Sequence, residues 1–433
     1  MGATEPERSR AGRSAGSVGS AVASGAPDRA GLSRLGRWRV LVVLCVTEIT
    51  SWGVLYYAFP VLAPTIAADT GWSISAVTAA FSAGLIVSAG VGIPVGRLLD
   101  RHGPRWVMTA GSVIGVPAAL LIAAAGSLPA FVAAWLLAGV AQGATFYPPA
   151  FAALTRWWGP DRVRALTGLT LVAGLASTVF APLSAALLNP FGWRGTFVVL
   201  AVVLGAITIP LHAVGLRGRW PDPVADPPVD DAAPAVVDDD PRRIRRSRPF
   251  LLLVVAVTLG GFTAFAVTVN QVSLLLDRGL STELAAWALG LGGLGQVLGR
   301  LGYAPLTRRS GPRGRAVAIL AVLAATTVLL AVLPGPVWAL IAAAMLAGAA
   351  RGVFTLLQAT ALSDRWHPRA YGRLNGVLSA PVMVAVAVSP WAGAALAGPL
   401  GGYPQVFWLL AGAALAAAAV SWWTIPGAGD RSR

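Results

Sequence analysis

Stretches of about 20 mostly apolar residues, the length an α-helix needs to cross roughly 30 Å of hydrocarbon, recur from Trp38 almost to the end of the chain. They fall near 39–66, 75–99, 106–125, 129–154, 164–188, 193–216, 250–276, 283–306, 315–333, 337–362, 371–397 and 404–425. Membrane β-strands would be shorter and would alternate polar with apolar residues; these stretches do not. The expected fold is an all-α membrane protein with twelve transmembrane helices. Composition agrees: 12% of the 433 residues are charged and 56% hydrophobic, against roughly 25% charged in soluble proteins. A water-soluble enzyme is excluded.

The formal charge of +15 would suggest nucleic acid in a soluble chain. Here the arginines have another pattern. With the N-terminus set in the cytoplasm, they gather in the segments expected on that side: the first 39 residues, 97–105, 156–164, 217–248, 308–315, 365–373 and the C-terminus. Only Arg194 and Arg278 fall in outer loops, and only Arg300 and Arg351 fall inside helices. This is the positive-inside rule. It predicts a multi-pass protein of the cell inner (plasma) membrane with both termini cytoplasmic, and no nucleic-acid partner.

All basic residues are arginine, which excludes lysine Schiff-base chemistry and the lysine of a Walker A loop. Cys45 is the single cysteine, and His102, His212 and His367 are far apart, so no disulfide, metal site or cofactor is expected.

Residues 1–37 are rich in Ser, Gly, Ala and Arg and read as a disordered cytoplasmic tail. A Pro/Asp/Arg-rich linker, 217–249, separates a six-helix unit at 38–216 from another at 250–425, and a short cytoplasmic tail, 426–433, follows. The two units repeat each other. Gly103-Pro104-Arg105 returns as Gly311-Pro312-Arg313. Gly139, Gly143 and Arg156-Trp157 return as Gly348, Gly352 and Arg365-Trp366, and Gly192-Trp193 returns as Gly402-Tyr403. The separations are 208, 209 and 210 residues. A parallel duplication of six helices is the architecture of a secondary transporter, with a site between the halves near the midplane.

The run Gly96-Arg97-Leu98-Leu99-Asp100-Arg101-His102-Gly103-Pro104-Arg105 closes the second helix. It resembles the signature of the major facilitator superfamily, which implies two pseudo-symmetric six-helix bundles. Gly96 and Gly103 would permit close packing and a tight turn. Asp100, with Arg101 and Arg105 beside it, would latch to an arginine or helix N-terminus of the other half and release when the cytoplasmic side opens. In the second copy Arg308 and Arg309 replace the acid and its neighbour, so the latch is expected to be asymmetric. Within the superfamily the chain is similar to the monocarboxylate porter group. The likeness rests on Tyr57-Ala58-Phe59-Pro60, Gly71-Trp72-Ser73, Arg164-Ala165-Leu166-Thr167-Gly168 and an eighth-helix arginine, Arg300. It implies a small carboxylate bound by Arg300 and commonly moved with a proton. Val61 and Gln296 stand where animal members carry a lysine and an acid. Drug–proton antiporters are the competing subfamily, but helix four here reads Gly139-Val140-Ala141-Gln142-Gly143, without their arginine.

Ionisable groups at membrane depth are costly and therefore functional candidates. Glu48, about ten residues into the first helix, is either a proton-coupling carboxylate or a partner for a buried arginine. Arg351, midway along the tenth helix, cannot easily reach either interface; it should bind anionic substrate, Glu48, or both. Thr355 and Gln358 extend its polar face. Arg300 either holds substrate or snorkels. Tyr147, Asn270 and Gln296 complete the substrate-binding candidates, with Gln271 beside Asn270. Asn270 and Gln271 alternatively satisfy a broken helical turn. Tyr147 precedes Pro148-Pro149, which should kink its helix. The expected function is proton-coupled movement of a small organic anion by a monomer among membrane lipids; export of amphipathic drugs or metabolites is the alternative.

Overall fold

The computed structural model describes Gly2 and residues 32–221, 241–366 and 371–425. Most of the expected N-terminal tail, the linker core 222–240, His367 and the tail 426–433 lie outside the described residues. Among those described, every regular element is a helix: α1 (Arg34–Trp52), α2 (Ala58–Thr70), α3 (Ile74–His102), α4 (Pro104–Ala124), α5 (Leu128–Thr145), α6 (Tyr147–Trp158), α7 (Arg162–Ala173), α8 (Ala176–Pro210), α9 (Pro241–Arg246), α10 (Arg248–Asp277), α11 (Thr282–Arg309), α12 (Pro312–Val332), α13 (Val337–Thr360), α14 (Tyr371–Leu400) and α15 (Tyr403–Ser421).

The helix starts are written locally. Ser33, Ser73, Ser127, Ser247 and Ser281 each accept a hydrogen bond from the backbone N–H three residues on. Each caps a first turn whose N–H groups have no intrahelical partner. Pro104 and Pro312 open α4 and α12, where a missing N–H costs nothing.

Nine runs among the described residues are long and apolar enough to cross a membrane. One of them, Leu128–Gly215, holds 88 residues, about 130 Å of helix at 1.5 Å per residue. It cannot be a single crossing. Its backbone leaves helical geometry at Phe146, at the positive-φ Gly159 and at Gly192, where φ is 61°. The turns at Gly159 and Gly192 fold the run into three crossings. The break at Phe146 is the kink expected from Pro148-Pro149, displaced just N-terminal so that both prolines sit in the first turn of α6. With Thr282–Arg309 counted beside them, the described helices group as two six-helix bundles. The first crossing joins α1 and α2 through a π-helical turn, Gly53–Tyr57.

Helix pairs inside each bundle approach at repeated glycines. A Cβ on Gly139 would overlap the Gly84 carbonyl, joining α5 to α3; a Cβ on Gly348 or Gly352 would overlap the Gly292 or Gln296 carbonyl, joining α13 to α11. The repeated glycines are thus contact points where small residues let membrane helices meet.

The bundles meet along α8–α11 and α3–α14. Asn189 Nδ2 donates to Glu283 at 2.9 Å, Thr178 Oγ1 to the Gly290 carbonyl at 2.8 Å, and the Trp391 N–H to Ser82 Oγ at 3.2 Å. Toward the arginine-poor face, Val61, Ala181 and Ala185 of the first bundle share one buried cluster with Val272, Leu275, Leu289 and Leu340 of the second. The bundles are in apolar contact there.

Candidate substrate and coupling site

The π-turn in the first crossing organises the site. A π-turn leaves backbone groups out of the regular ladder, and Gln142 Nε2 of α5 donates to the Leu55 carbonyl at 2.8 Å. The wide turn brings Tyr56 and Tyr57 together, ring centroids 5.1 Å apart. Tyr57 faces the Arg351 guanidinium at 6.0 Å. Tyr56 is buried against Phe81. The two tyrosines thus have different surroundings, as their spacing suggests.

Glu48 is wholly buried. Its Oε2 accepts from Trp52 Nε1 at 3.0 Å, one helical turn on. Trp52 stacks on Phe146 at 4.1 Å and lies 5.2 Å from Tyr147. Tyr147 lies within electrostatic range of both Glu48 and Arg300. A carboxyl group of one bundle and a guanidinium of the other therefore flank one phenol. Trp52 is absent from the sequence-based candidates. The signal was its spacing of four from Glu48, which places both on one helix face.

Arg351 is 5% exposed, and its Nη1 donates to Thr268 Oγ1 of α10 at 2.5 Å. Thr268, Gln271 and Arg351 line a small cavity with Gly292 and Gly348. The expected ion pair between Arg351 and Glu48 does not form. The acid is engaged by Trp52 and the guanidinium by Thr268, each from a neighbouring turn or helix.

Arg300 is engaged by groups of two other helices. Its Nη1 donates across the bundle boundary to the Thr170 carbonyl of α7, and its Nη2 to Thr355 Oγ1 at 3.4 Å. Gln296 is buried one turn before it, and Gln358 is half-buried one turn beyond Thr355.

Asn270 bridges two helices of the second bundle. Its Nδ2 donates to the Ala266 carbonyl at 2.9 Å and to the Pro390 carbonyl at 3.3 Å, so its amide joins α10 to α14. It does not mend a broken turn of its own helix, because α10 runs unbroken from Arg248 to Asp277.

The motif after the second crossing needs correction. Asp100 pairs with Arg156 of its own bundle at 2.5 Å, not with the other half. Trp220 covers the pair: its Nε1 donates to the Asp100 carbonyl at 3.3 Å and Arg156 lies 4.7 Å over its ring. Arg105 Nε donates to the Ala213 carbonyl at 2.7 Å, while Arg101 is exposed. Gly103 makes the turn with φ of 73°. Gly96 makes no close helix approach: a Cβ there would have no neighbour within 4 Å. The second bundle has a different ion pair, Arg315 with Asp364, tied through Thr360 to Tyr303. Asp364 precedes the repeat mate of Arg156, which is the signal that sequence reasoning passed over.

Two six-helix bundles of apolar helices around a buried polar cluster define a multi-pass helical membrane protein. The chain belongs to the Major Facilitator Superfamily, whose family model matches residues 43–337 and 251–432. It is 31% identical over 277 residues to monocarboxylate transporter 13 of Bos taurus, covering 61% of each chain. It is 30% identical over 298 residues to monocarboxylate transporter 11 of Homo sapiens, covering 63% of this chain and 59% of that one. The oxalate:formate antiporter of Oxalobacter formigenes is 28% identical over 174 residues, covering 40% of this chain and 41% of the antiporter. The chain thus spans under two thirds of the length of these relatives. Among solved structures, the nucleoside transporter NupG superposes with a TM-score of 0.69 at 14% identity, covering 90% of this chain and all of that one. A bacterial homologue of the human lysosomal transporter Spinster gives 0.66 at 16%, covering 91% and 95%. At these identities the likeness concerns the fold.

Proposed function

We propose that this transporter moves a small organic anion, a monocarboxylate or near relative, in exchange with or together with protons. One observation carries the reading. Arg300 and Arg351 of one bundle and Glu48 of the other surround the Trp52–Tyr57–Tyr147 aromatic group, yet none of the three charges pairs with another among the described residues. Two guanidiniums and one carboxyl group leave the cluster short of negative charge. Buried cations require partners, and an arginine fork suits a carboxylate. The relatives named as monocarboxylate and oxalate:formate transporters support the same class.

Glu48 is the proposed proton carrier and Trp52 its positioning residue. All three charged groups come from one chain, so a monomer suffices. The bundles, 38–216 and 250–425, are proposed to rock about the boundary that Thr178–Gly290 and Arg300–Thr170 bridge. The arginine-rich face is assigned to the cytoplasm of a plasma membrane, as the positive-inside rule directs.

Reconstitution in liposomes tests this. Uptake of a panel of carboxylates should be accelerated by an imposed pH gradient, and Arg300→Ala and Arg351→Ala should each abolish it. Wild-type uptake by both variants would defeat the anion assignment. Gradient-driven movement of neutral amphipathic compounds independent of Arg300 would favour the drug-exporter alternative.

A further inference from the structure

The boundary between α3 and α14 carries an interrupted helical ladder that the transport site does not use. Pro390 lies inside α14. Proline has no N–H, so the Val386 carbonyl four residues back loses its ladder partner. Ser389 Oγ donates to that carbonyl at 3.0 Å. Two other helices serve the same turn. Asn270 Nδ2 of α10 donates to the Pro390 carbonyl at 3.3 Å. Its amide fills a notch, since a Cβ on Gly393 would lie 2.3 Å from Asn270 Nδ2. From the first bundle, Ser82 Oγ of α3 accepts from the Trp391 N–H at 3.2 Å. Ser82, Asn270 and Ser389 are all buried.

The three contacts are not equivalent. Ser389 acts within α14, and Asn270 acts within the second bundle, so both bonds survive a rigid movement of one bundle against the other. Ser82 belongs to the first bundle, and its bond must break if the bundles part on this side. The Trp391 N–H is not stranded by that break, because the Ala387 carbonyl, four residues back, is its ordinary helical partner. The Pro390 turn therefore has two complete hydrogen-bonding arrangements, one tied to the other bundle and one closed within α14. Switching elements are bistable in this way, and helices bend where proline interrupts the ladder. Ser82 follows Ile74, the first residue of α3, by about 12 Å of helix at 1.5 Å per residue, which sets the bond in the half of the boundary toward the arginine-poor face.

We propose that Pro390 is a hinge of α14 and that the bond from the Trp391 N–H to Ser82 is the latch that holds this hinge against the first bundle while the bundles touch toward the arginine-poor face. The latch rests on the rocking motion inferred above and is independent of the anion and of Glu48.

Maleimide labelling of the purified full-length chain in detergent tests this. Ala185 is 2% exposed within the apolar contact between the bundles, so Ala185→Cys reports the parting of that contact, with Cys45→Ser removing the native thiol. Ser82→Ala should raise the labelling rate by about threefold or more, the shift expected from losing one neutral hydrogen bond. Ser389→Ala, which alters the same turn without touching the first bundle, should label near the parent rate. Ser82→Thr and Ser82→Val match each other in shape and differ in the hydroxyl. Ser82→Thr should label more slowly than Ser82→Val, a comparison that stands even if Ser82→Ala does not fold. A parent rate in Ser82→Ala, equal rates in the Thr and Val variants, or an equal rise in Ser389→Ala overturns the latch. A parent thiol that reacts only after unfolding in denaturant overturns the rocking motion and the latch together. No substrate or pH gradient enters the measurement, so a failure of the anion or proton assignment leaves these rates unchanged.

Discussion

Gln142 and Arg351 occupy equivalent positions in the two bundles, and each donates to the first helix of its own bundle. Gln142 reaches the Leu55 carbonyl at 2.8 Å and Arg351 reaches the Thr268 hydroxyl at 2.5 Å. The duplication has kept a helix-bridging donor at this position and added a charge in the second copy. Arg351→Gln should therefore leave a donor in place while removing the charge. We predict that the variant folds, with a melting midpoint near wild type in detergent, and that carboxylate uptake falls at least tenfold, about 1.4 kcal/mol or more of binding free energy. A retained uptake rate would show that the charge does not serve the anion.

The bond from Trp52 Nε1 to Glu48 Oε2 is separable from the stacking of the same indole on Phe146. Trp52→Phe removes the donor and keeps a ring to stack. A buried acceptor left without its donor costs roughly 1–3 kcal/mol, and a carboxyl group avoids that cost by holding its proton. We expect Trp52→Phe to retain binding but to lose most of the acceleration produced by a pH gradient. Trp52→Ala should lose both that response and several degrees of thermal stability. An unchanged gradient response in Trp52→Phe would remove Trp52 as the positioning residue.

The architecture was legible because membrane helices announce themselves by length, and arginine positions order the faces. The repeat signal at Gly139, Gly143, Gly348 and Gly352 also has a physical content visible in the fold, close helix approaches. Partner choice was less legible. Asp100 was expected to bridge the bundles and instead meets Arg156, because α3 and α6 end side by side within one bundle. The carbonyl that Asn270 meets on α14 comes from Pro390, distant in sequence, a partner that the pattern within α10 does not reveal. Trp52 was hidden among sixteen tryptophans.

The glycine contacts predict a sharp contrast. Gly348→Ala and Gly352→Ala each place a methyl group into a carbonyl of α11. Backbone cannot yield as a side-chain tip can, so α11 and α13 must separate, and overpacking costs typically 1–3 kcal/mol or more. Gly302→Ala and Gly376→Ala meet open space. Monodisperse yield on size-exclusion chromatography should drop for the first pair and hold for the second. Equal behaviour of all four would contradict the tight α11–α13 approach.

The Asp100–Arg156 pair separates two views of the loop motif. Its carboxylate side chain is 63% exposed, and an exposed ion pair is worth about 0.2–1 kcal/mol. The partners lie in one bundle, so breaking the pair removes no bond between the bundles. Asp100→Asn should then shift the melting midpoint by no more than a degree or two and change uptake by no more than about fivefold, which is all that such a free-energy difference allows. Arg300 does span the bundles, through the Thr170 carbonyl. Arg300→Lys keeps the charge and shortens the reach, so it should slow exchange between the two open states while retaining anion binding, read as a lower maximal rate at a similar half-saturating concentration. A collapse of uptake in Asp100→Asn with a normal rate in Arg300→Lys would reverse the assignment and return the latch to the loop.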